Sequence, residues 1–280
     1  MKILVSLLSL FILTTGFAQV DQKLPNGQWA YYGSEFYSAV TSKKKIDRSL
    51  FNRIFNEAHQ PTKGKHDEIK SQCNSHGCYR HFSVGYTAAR KIMFGELDIL
   101  RDSEGTYVRD VYCGKKFYFR GLDEVSGMHT RVNIEHTWPQ SKFNGNFSKD
   151  MQKSDMHHLY LTDSNANSRR GNIPFGLVRL DENEMVGEGC DMSRFGFTAG
   201  GDTYTPPPAH RGNVARSLFY FAMHYNLGIS SREEATLRRW HKDDPVDQNE
   251  IIRHEKIAKH QNVRNPFVDH PQIVDLISDF

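Results

Sequence analysis

A chain of 280 residues with 12% aromatic and 25% charged side chains has too many core formers to be disordered, and its length suits one large domain or two small ones. Its 36 Lys and Arg against 33 Asp and Glu leave a net charge of +3, which neither demands nor excludes a polyanionic partner. The outlying count is 14 His, the side chain that serves both as metal ligand and as base near neutral pH.

Met1 and Lys2 precede an apolar run from Ile3 to Leu13, followed by small residues at Gly16 and Ala18. This pattern reads as a secretory signal cut after Ala18. The alternative, a membrane anchor, needs roughly 20 apolar residues, well beyond this run. No later segment is apolar enough to span a bilayer, so residues 19–280 are expected to be secreted or periplasmic, without a membrane partner. Four cysteines in an exported chain favour two disulfides. Cys73 and Cys78 can bridge a short loop, which leaves Cys113 with Cys190. A rival reading makes Cys73, His76, Cys78 and His81 zinc ligands, but at spacing too tight for an ordinary finger. Free thiols are the third option.

Further along the chain, Ile46, Leu50, Phe51, Ile54, Phe55 and Ala58 recur at three and four, which predicts an amphipathic helix over 46–59. Residues 107–119 are rich in Tyr, Val and Phe and read as strand. Helices are expected over 209–225, 233–239 and 250–260, with a loop at Pro206-Pro207-Pro208. No repeat or linker divides the chain. The fold class expected is α+β, a single mixed domain.

The centre, residues 131–172, is dense in His, Asn, Asp and Arg. Val132 and Ile134 alternate with polar residues, as in a strand ending near Pro139. On an ideal strand Glu135 and His136 point to opposite faces, so a bend or strand end is needed for both to serve one site. Taken alone, such a pair is ordinary on any surface. Residues 155–161 read as a second strand and 162–172 as a short helix, with Thr162 or Asp163 as N-cap and Gly171 as terminator. On that helix Asp163, Asn167 and Arg170 share a face. An Asn there has no packing reason to face inward, but its neutral oxygen suits a hard cation.

In these residues the chain resembles the bacterial endonuclease I family of periplasmic and secreted nucleases, which belong to the ββα-metal, or His-Me finger, group. The matching features are Glu135-His136 with Pro139, Asp155-x-His157-x-Leu159, and Asn167-x-x-Arg170-x-Asn172. The wording of 133–141 and 153–159 is close to the secreted branch. So are Trp240-His241-x-x-Asp244-Pro245-Val246 and the stretch from Asn262 to Pro271.

The resemblance implies a ββα-metal core at about 131–172 surrounded by helices, in a catalytic domain spanning 19–280. It implies a largely sequence-nonspecific endonuclease that cuts DNA, and RNA too, to 5′-phosphate products. His136 would be the general base, and Glu135 and Asn167 would hold one divalent cation: Mg²⁺, with Mn²⁺ or Ca²⁺ as substitutes. Asn172 and Asn165 are alternatives to Asn167. Arg169 or Arg170 would contact phosphate, unless one merely caps the helix end. Asp155 and His157 read as supports, and His158 as a second-layer contact or a packed ring. Lys142, Lys149 and Lys153 lie in a loop that departs from the shorter family members and could track a phosphate backbone. Trp138 reads as packing beside the site.

Two other features are set aside. His254 and His260 lie six apart, not the four of a zinc-protease helix. The Lys43-Lys44-Lys45 run reads as a solvated face. The competing function is an exported nucleic-acid-binding protein without catalysis; the joint presence of Glu135, His136 and Asn167 argues against it. A monomer is expected.

Overall fold

A computed structural model describes residues 19–74, 76–178, 183–198 and 200–280; the export signal lies outside them. The described chain begins with helices α1 (Gly33–Thr41) and α2 (Arg48–Asn56). The predicted periodicity appears in α2, where Leu50, Phe51, Ile54 and Phe55 are buried and Asp47 caps the first turn. An antiparallel hairpin, β1 (Ala58–Gln60) with β2 (Glu68–Lys70), and helix α3 (Tyr86–Ile92) follow.

Residues 107–119 are not one strand. They belong to an antiparallel meander of β3 (Ile99–Asp102), β4 (Gly105–Arg109) and β5 (Lys116–Tyr118). The break is at Asp110, whose carboxylate accepts the amides of Tyr112, Cys113 and Lys115 and so folds a turn between β4 and β5.

The next four elements place the site. Strand β6 (Val132–His136), helix α4 (Lys149–Ser154), strand β7 (Leu159–Asp163) and helix α5 (Ser164–Arg170) form the expected ββα unit, with α4 inserted between its strands. β6 and β7 pair antiparallel, Val132 opposite Asp163 and His136 opposite Leu159. The second strand starts later than its composition suggested. Asp155 accepts the amide of His157 and starts a short 3₁₀ turn, Met156–His158, before the chain extends. Asp163, not Thr162, is the N-cap of α5, accepting the amides of Asn165 and Ala166. Gly171 ends the helix at φ 54°, a conformation favoured by glycine.

A last sheet pairs β8 (Asn183–Met185), β9 (Arg194–Thr198) and β10 (Gly201–Thr205) in the order β10-β9-β8. Helices α6 (Arg211–His224), α7 (Ser231–Asp243), α8 (Gln248–Gln261) and α9 (Pro266–Asp269) complete the described chain. α6 is buried on every side from Val214 onward, and its buried polar residues Arg216, Ser217 and His224 are met by Glu250, the His157 carbonyl and the Tyr220 hydroxyl. It anchors the larger core, with Phe219, Phe221, Trp240 and Phe267. A second core lies on the other side of β6, where Val132, Ile134, Leu159 and Leu161 meet Met93, Phe94 and Ile257. No helix among the described residues is long and apolar enough to cross a membrane.

Disulfides join Cys73 to Cys78 and Cys113 to Cys190. The zinc and free-thiol alternatives are therefore overturned. The second bridge ties the turn after β4 to the segment before β9, across 77 residues of sequence.

Candidate active site

β6 ends at His136, which resolves the facing problem of Glu135 and His136. The main-chain oxygens of His136 and Thr137 leave the sheet and accept from the Arg170 guanidinium, at 3.1 and 2.6 Å. Glu135, His136, Asn167 and Asn172 all line one shallow cleft of about 250 Å³, together with Pro139, Gln140 and Ser141.

Each side chain in that cleft is held by identifiable partners. Glu135 is only 2% exposed. Its Oε1 accepts from the Tyr112 hydroxyl at 2.9 Å and lies 3.0 Å from Arg170 Nη1. Among the described residues its Oε2 receives no hydrogen bond. Burial raises the Glu135 carboxyl to about 6 against the downward pull of Arg170. The amide nitrogen of Asn167 donates to Asn133 Oδ1 at 2.7 Å and to the Ile134 carbonyl at 3.2 Å. That fixes the amide plane and leaves Asn167 Oδ1 without a donor among the described residues. Two oxygens suited to a hard cation thus face one cleft, one charged and one neutral.

His136 Nε2 lies 3.1 Å from the Lys153 carbonyl. A carbonyl only accepts, so this contact places the proton on Nε2 and makes Nδ1 the accepting atom of the ring. Gln140 Nε2 approaches Nδ1 at 3.3 Å. Burial lowers the imidazole to about 4, so it is neutral at neutral pH. Tyr86 stacks on one side of the ring at 5.6 Å between centroids, and His158 meets it edge-on at 5.4 Å.

The other sequence-based candidates fall into distinct places. Asp155 is buried and accepts from the Tyr220 and Tyr225 hydroxyls, both at 2.9 Å. His157 sits at the Val263 carbonyl, and His158 at the Gln152 carbonyl while packing on Phe221; burial holds both rings well below their usual range. Trp138 packs on Phe221, with its indole nitrogen donating to the Lys142 carbonyl. Lys153 spreads over the Tyr86 ring at 4.5 Å, beside His136. Lys142 is exposed just past Pro139 and Lys149 is exposed at the start of α4; neither lines the cleft. Asn172 is exposed, with a long 3.5 Å contact to Ser141, and Asn165 lies outside the cleft.

Arg170 requires a correction. It is 2% exposed, its guanidinium is spent on three carbonyls and Glu135, and it stacks on Phe175 at 4.4 Å. It braces the site from behind and has no face to offer a phosphate. Arg169, by contrast, is exposed and lies over the Phe195 ring at 4.1 Å.

Sequence reasoning missed Tyr112, Tyr86, Gln140 and Asn133. Gln140 and Asn133 lie within the matched stretch and carried that signal; the two tyrosines come from distant segments and carried none. His254 and His260 do not meet: His254 is buried beside Asp269, and His260 pairs with Glu96. His254, Glu255 and Asp269 cluster closely enough for a cation, but Arg264 already donates to both carboxylates, at 2.6 and 2.9 Å.

A model of the family described as Endonuclease I matches residues 66–272. The chain is similar to an extracellular ribonuclease of Bacillus subtilis (strain 168), 34% identical over 163 residues, which are 52% of this chain and 53% of the relative. It is similar to Endonuclease-1 of Buchnera aphidicola subsp. Acyrthosiphon pisum (strain APS), 22% identical over 246 residues, 73% of this chain and 94% of the relative. An extracellular deoxyribonuclease of Aeromonas hydrophila is 27% identical over 119 residues, 42% of this chain and 49% of the relative. The chain spans about half the length of the extracellular relatives it matches. With the family match running through the whole ββα unit and most of the sequence, the chain belongs to the endonuclease I family.

Proposed function

We propose that this chain is an exported, metal-dependent endonuclease that hydrolyses phosphodiester bonds of DNA and RNA with little regard to sequence. The observation that carries the reading is the convergence of a neutral imidazole with two uncommitted oxygens, Glu135 Oε2 and Asn167 Oδ1, in one cleft. Those oxygens fit a divalent cation of the Mg²⁺ type, with Mn²⁺ or Ca²⁺ as substitutes. When bound, the cation supplies positive charge against that building on the scissile phosphate and the leaving 3′ oxygen. Asn167 suits this role better than Asn172, because its amide is already oriented by Asn133 and Ile134.

His136 takes the proton from the attacking water at Nδ1. The Lys153 carbonyl holds the Nε2 proton in place and stabilises the imidazolium that forms. Gln140 steers the ring edge, and Tyr86 and His158 keep the ring from rotating. Water adds to phosphorus as the 3′ oxygen leaves, so the products carry a 5′ phosphate and a 3′ hydroxyl. Tyr112 and Arg170 keep Glu135 ionised in a buried place. Lys142, Lys153 and Arg169 supply local positive charge, and contacts to phosphates bind without reading bases. Relatives named ribonuclease and deoxyribonuclease support both substrates. Two disulfides and relatives named extracellular support export, with the chain acting as a monomer.

The test is incubation of supercoiled plasmid and of structured RNA with the purified protein. Mg²⁺ should give nicked, linear and then fragmented DNA, and EDTA should stop the reaction. Plasmid that is retained on the protein but uncut in Mg²⁺ and Mn²⁺ would favour the binding-protein alternative.

A further inference from the structure

We propose that a closed circuit of hydrogen bonds, running from the Met156 amide through Gln261, His81, His224 and Tyr220 to the Asp155 carboxylate, positions the general base His136. The inference rests on the nuclease reading and adds to it a set of positioning residues that never touch the substrate. The Met156 amide donates to Gln261 Oε1 at 2.7 Å. Gln261 Nε2 meets His81 Nε2 at 3.3 Å, His81 Nδ1 meets His224 Nε2 at 3.2 Å, and His224 Nδ1 meets the Tyr220 hydroxyl at 2.8 Å. Tyr220 then donates to Asp155 Oδ2 at 2.9 Å. Residues 155 and 156 share a peptide bond, so the circuit closes on itself. Asp155, Tyr220, His224 and Gln261 are fully buried.

Only one direction of donation satisfies every member. An amide N–H can only donate and a carboxylate can only accept. With its own proton on Asp155, the Tyr220 oxygen accepts from His224 Nδ1. His224 Nε2 then accepts from His81 Nδ1, and His81 Nε2 accepts from Gln261. Both imidazoles are therefore neutral, with the proton on Nδ1. Burial keeps them so, holding His81 at about 3 and His224 well below its usual range. Asp155 is further fixed by the Tyr225 hydroxyl on Oδ2 and the His157 amide on Oδ1.

The segment fastened in this way is the one that holds His136. The Lys153 carbonyl accepts from His136 Nε2, and the His158 carbonyl accepts from the Thr137 amide. Asp155 lies between these two carbonyls in the chain. The side chain of the base and the main chain just after it are thus both registered against residues 153–158. A base must meet its water within a narrow distance, and a shift of about 1 Å can cost on the order of a hundredfold in rate.

The test uses the polarity of the circuit in the full mature protein. In Asp155→Asn an amide nitrogen replaces Oδ2 and donates to Tyr220 and Tyr225. Tyr220 then donates to His224, both histidine protons move to Nε2, and His81 Nε2–H meets the Gln261 amide as donor against donor. Gln261→Glu puts an oxygen at both ends of that side chain and removes the conflict. Asp155→Asn is expected to slow single-turnover cleavage of an oligonucleotide about tenfold, with affinity in EDTA within about twofold, and added Gln261→Glu to restore most of the rate. Tyr220→Phe, which deletes one oxygen, should give the same split of rate from affinity. In a His136→Ala background Asp155→Asn should leave the residual rate unchanged, since the base it positions is gone. Long-range ¹H–¹⁵N spectra of histidine-labelled protein should show His81 and His224 protonated on Nδ1, and on Nε2 in the double variant. A rate loss matched by lost affinity, no restoration by Gln261→Glu, equal slowing of His136→Ala, or Nε2 protons on both histidines in the unaltered protein would overturn the proposal. An unaltered protein that never cuts would instead sink the nuclease reading, while the spectra still decide the circuit.

Discussion

Replacing Arg170 separates a buried brace from a phosphate contact. In Arg170→Met the hydrophobic stem and some of the packing on Phe175 survive, but the guanidinium is lost. The carbonyls of His136, Thr137 and Gly171 lose their donor, and Glu135 loses its counter-charge while keeping the Tyr112 hydroxyl. Removing one partner of a buried ion pair costs about 3–5 kcal/mol, so a loss of that size is expected at pH 8. Glu135 already has a raised folded-state pKa, about 6, and without Arg170 it rises further. A raised carboxyl favours folding fully below its unfolded pKa and loses that advantage as pH climbs through its folded value. The deficit should therefore shrink at pH 5, where Glu135 is protonated, to the roughly 1–3 kcal/mol of the lost carbonyl bonds. Urea unfolding of the disulfide-intact protein at both pH values measures this. A deficit under about 1 kcal/mol at pH 8, accompanied by a large loss of nucleic-acid affinity, would show that Arg170 faces phosphate and refute the brace.

Three further outcomes are expected. Asn167→Ala should raise the Mg²⁺ concentration needed for half-maximal cleavage, while Asn172→Ala leaves it nearly unchanged; the reverse would move the ligand to Asn172. The acid limb of activity should follow Glu135, near 6, rather than His136, near 4. Protons and cation compete for that carboxylate, so tenfold more Mg²⁺ should shift the limb to lower pH by up to about one unit; a limb indifferent to Mg²⁺ would contradict the assignment. Replacing Cys113 and Cys190 together with Ser should destabilise the protein by about 4.5 kcal/mol on loop entropy alone, read as a lowered urea midpoint. An unchanged midpoint would mean that the fold holds this loop without the bridge.

The ββα unit was legible because its chemistry is contiguous: Glu135 and His136 are adjacent, and Asn167 follows a cap and precedes a glycine stop within one short helix. The cysteine pairing was legible for a similar reason, since one pair is close enough to leave a single partner for each remaining thiol. Arg170 was not. Helical spacing places it on a face with Asn167, but whether that face meets solvent or strand depends on where β6 ends. The turn at Asp110 was hidden because Tyr and Val surround it, and its cause is one carboxylate collecting three amides. Tyr112 and Tyr86 reach the site from other elements, where each reads as an ordinary core aromatic. Of the many His, His136 lines the cleft, while others, such as His157, His158 and His224, are buried in packing.

The most direct measurement is single-turnover cleavage of a labelled oligonucleotide by excess His136→Ala protein in Mg²⁺, alongside its binding in EDTA. The rate is expected to fall by about 10²–10⁴ while affinity stays within about twofold, as befits a base that touches only the water. Cleavage at the unaltered rate would remove His136, and with it the cleft it shares with Glu135 and Asn167, from the chemistry.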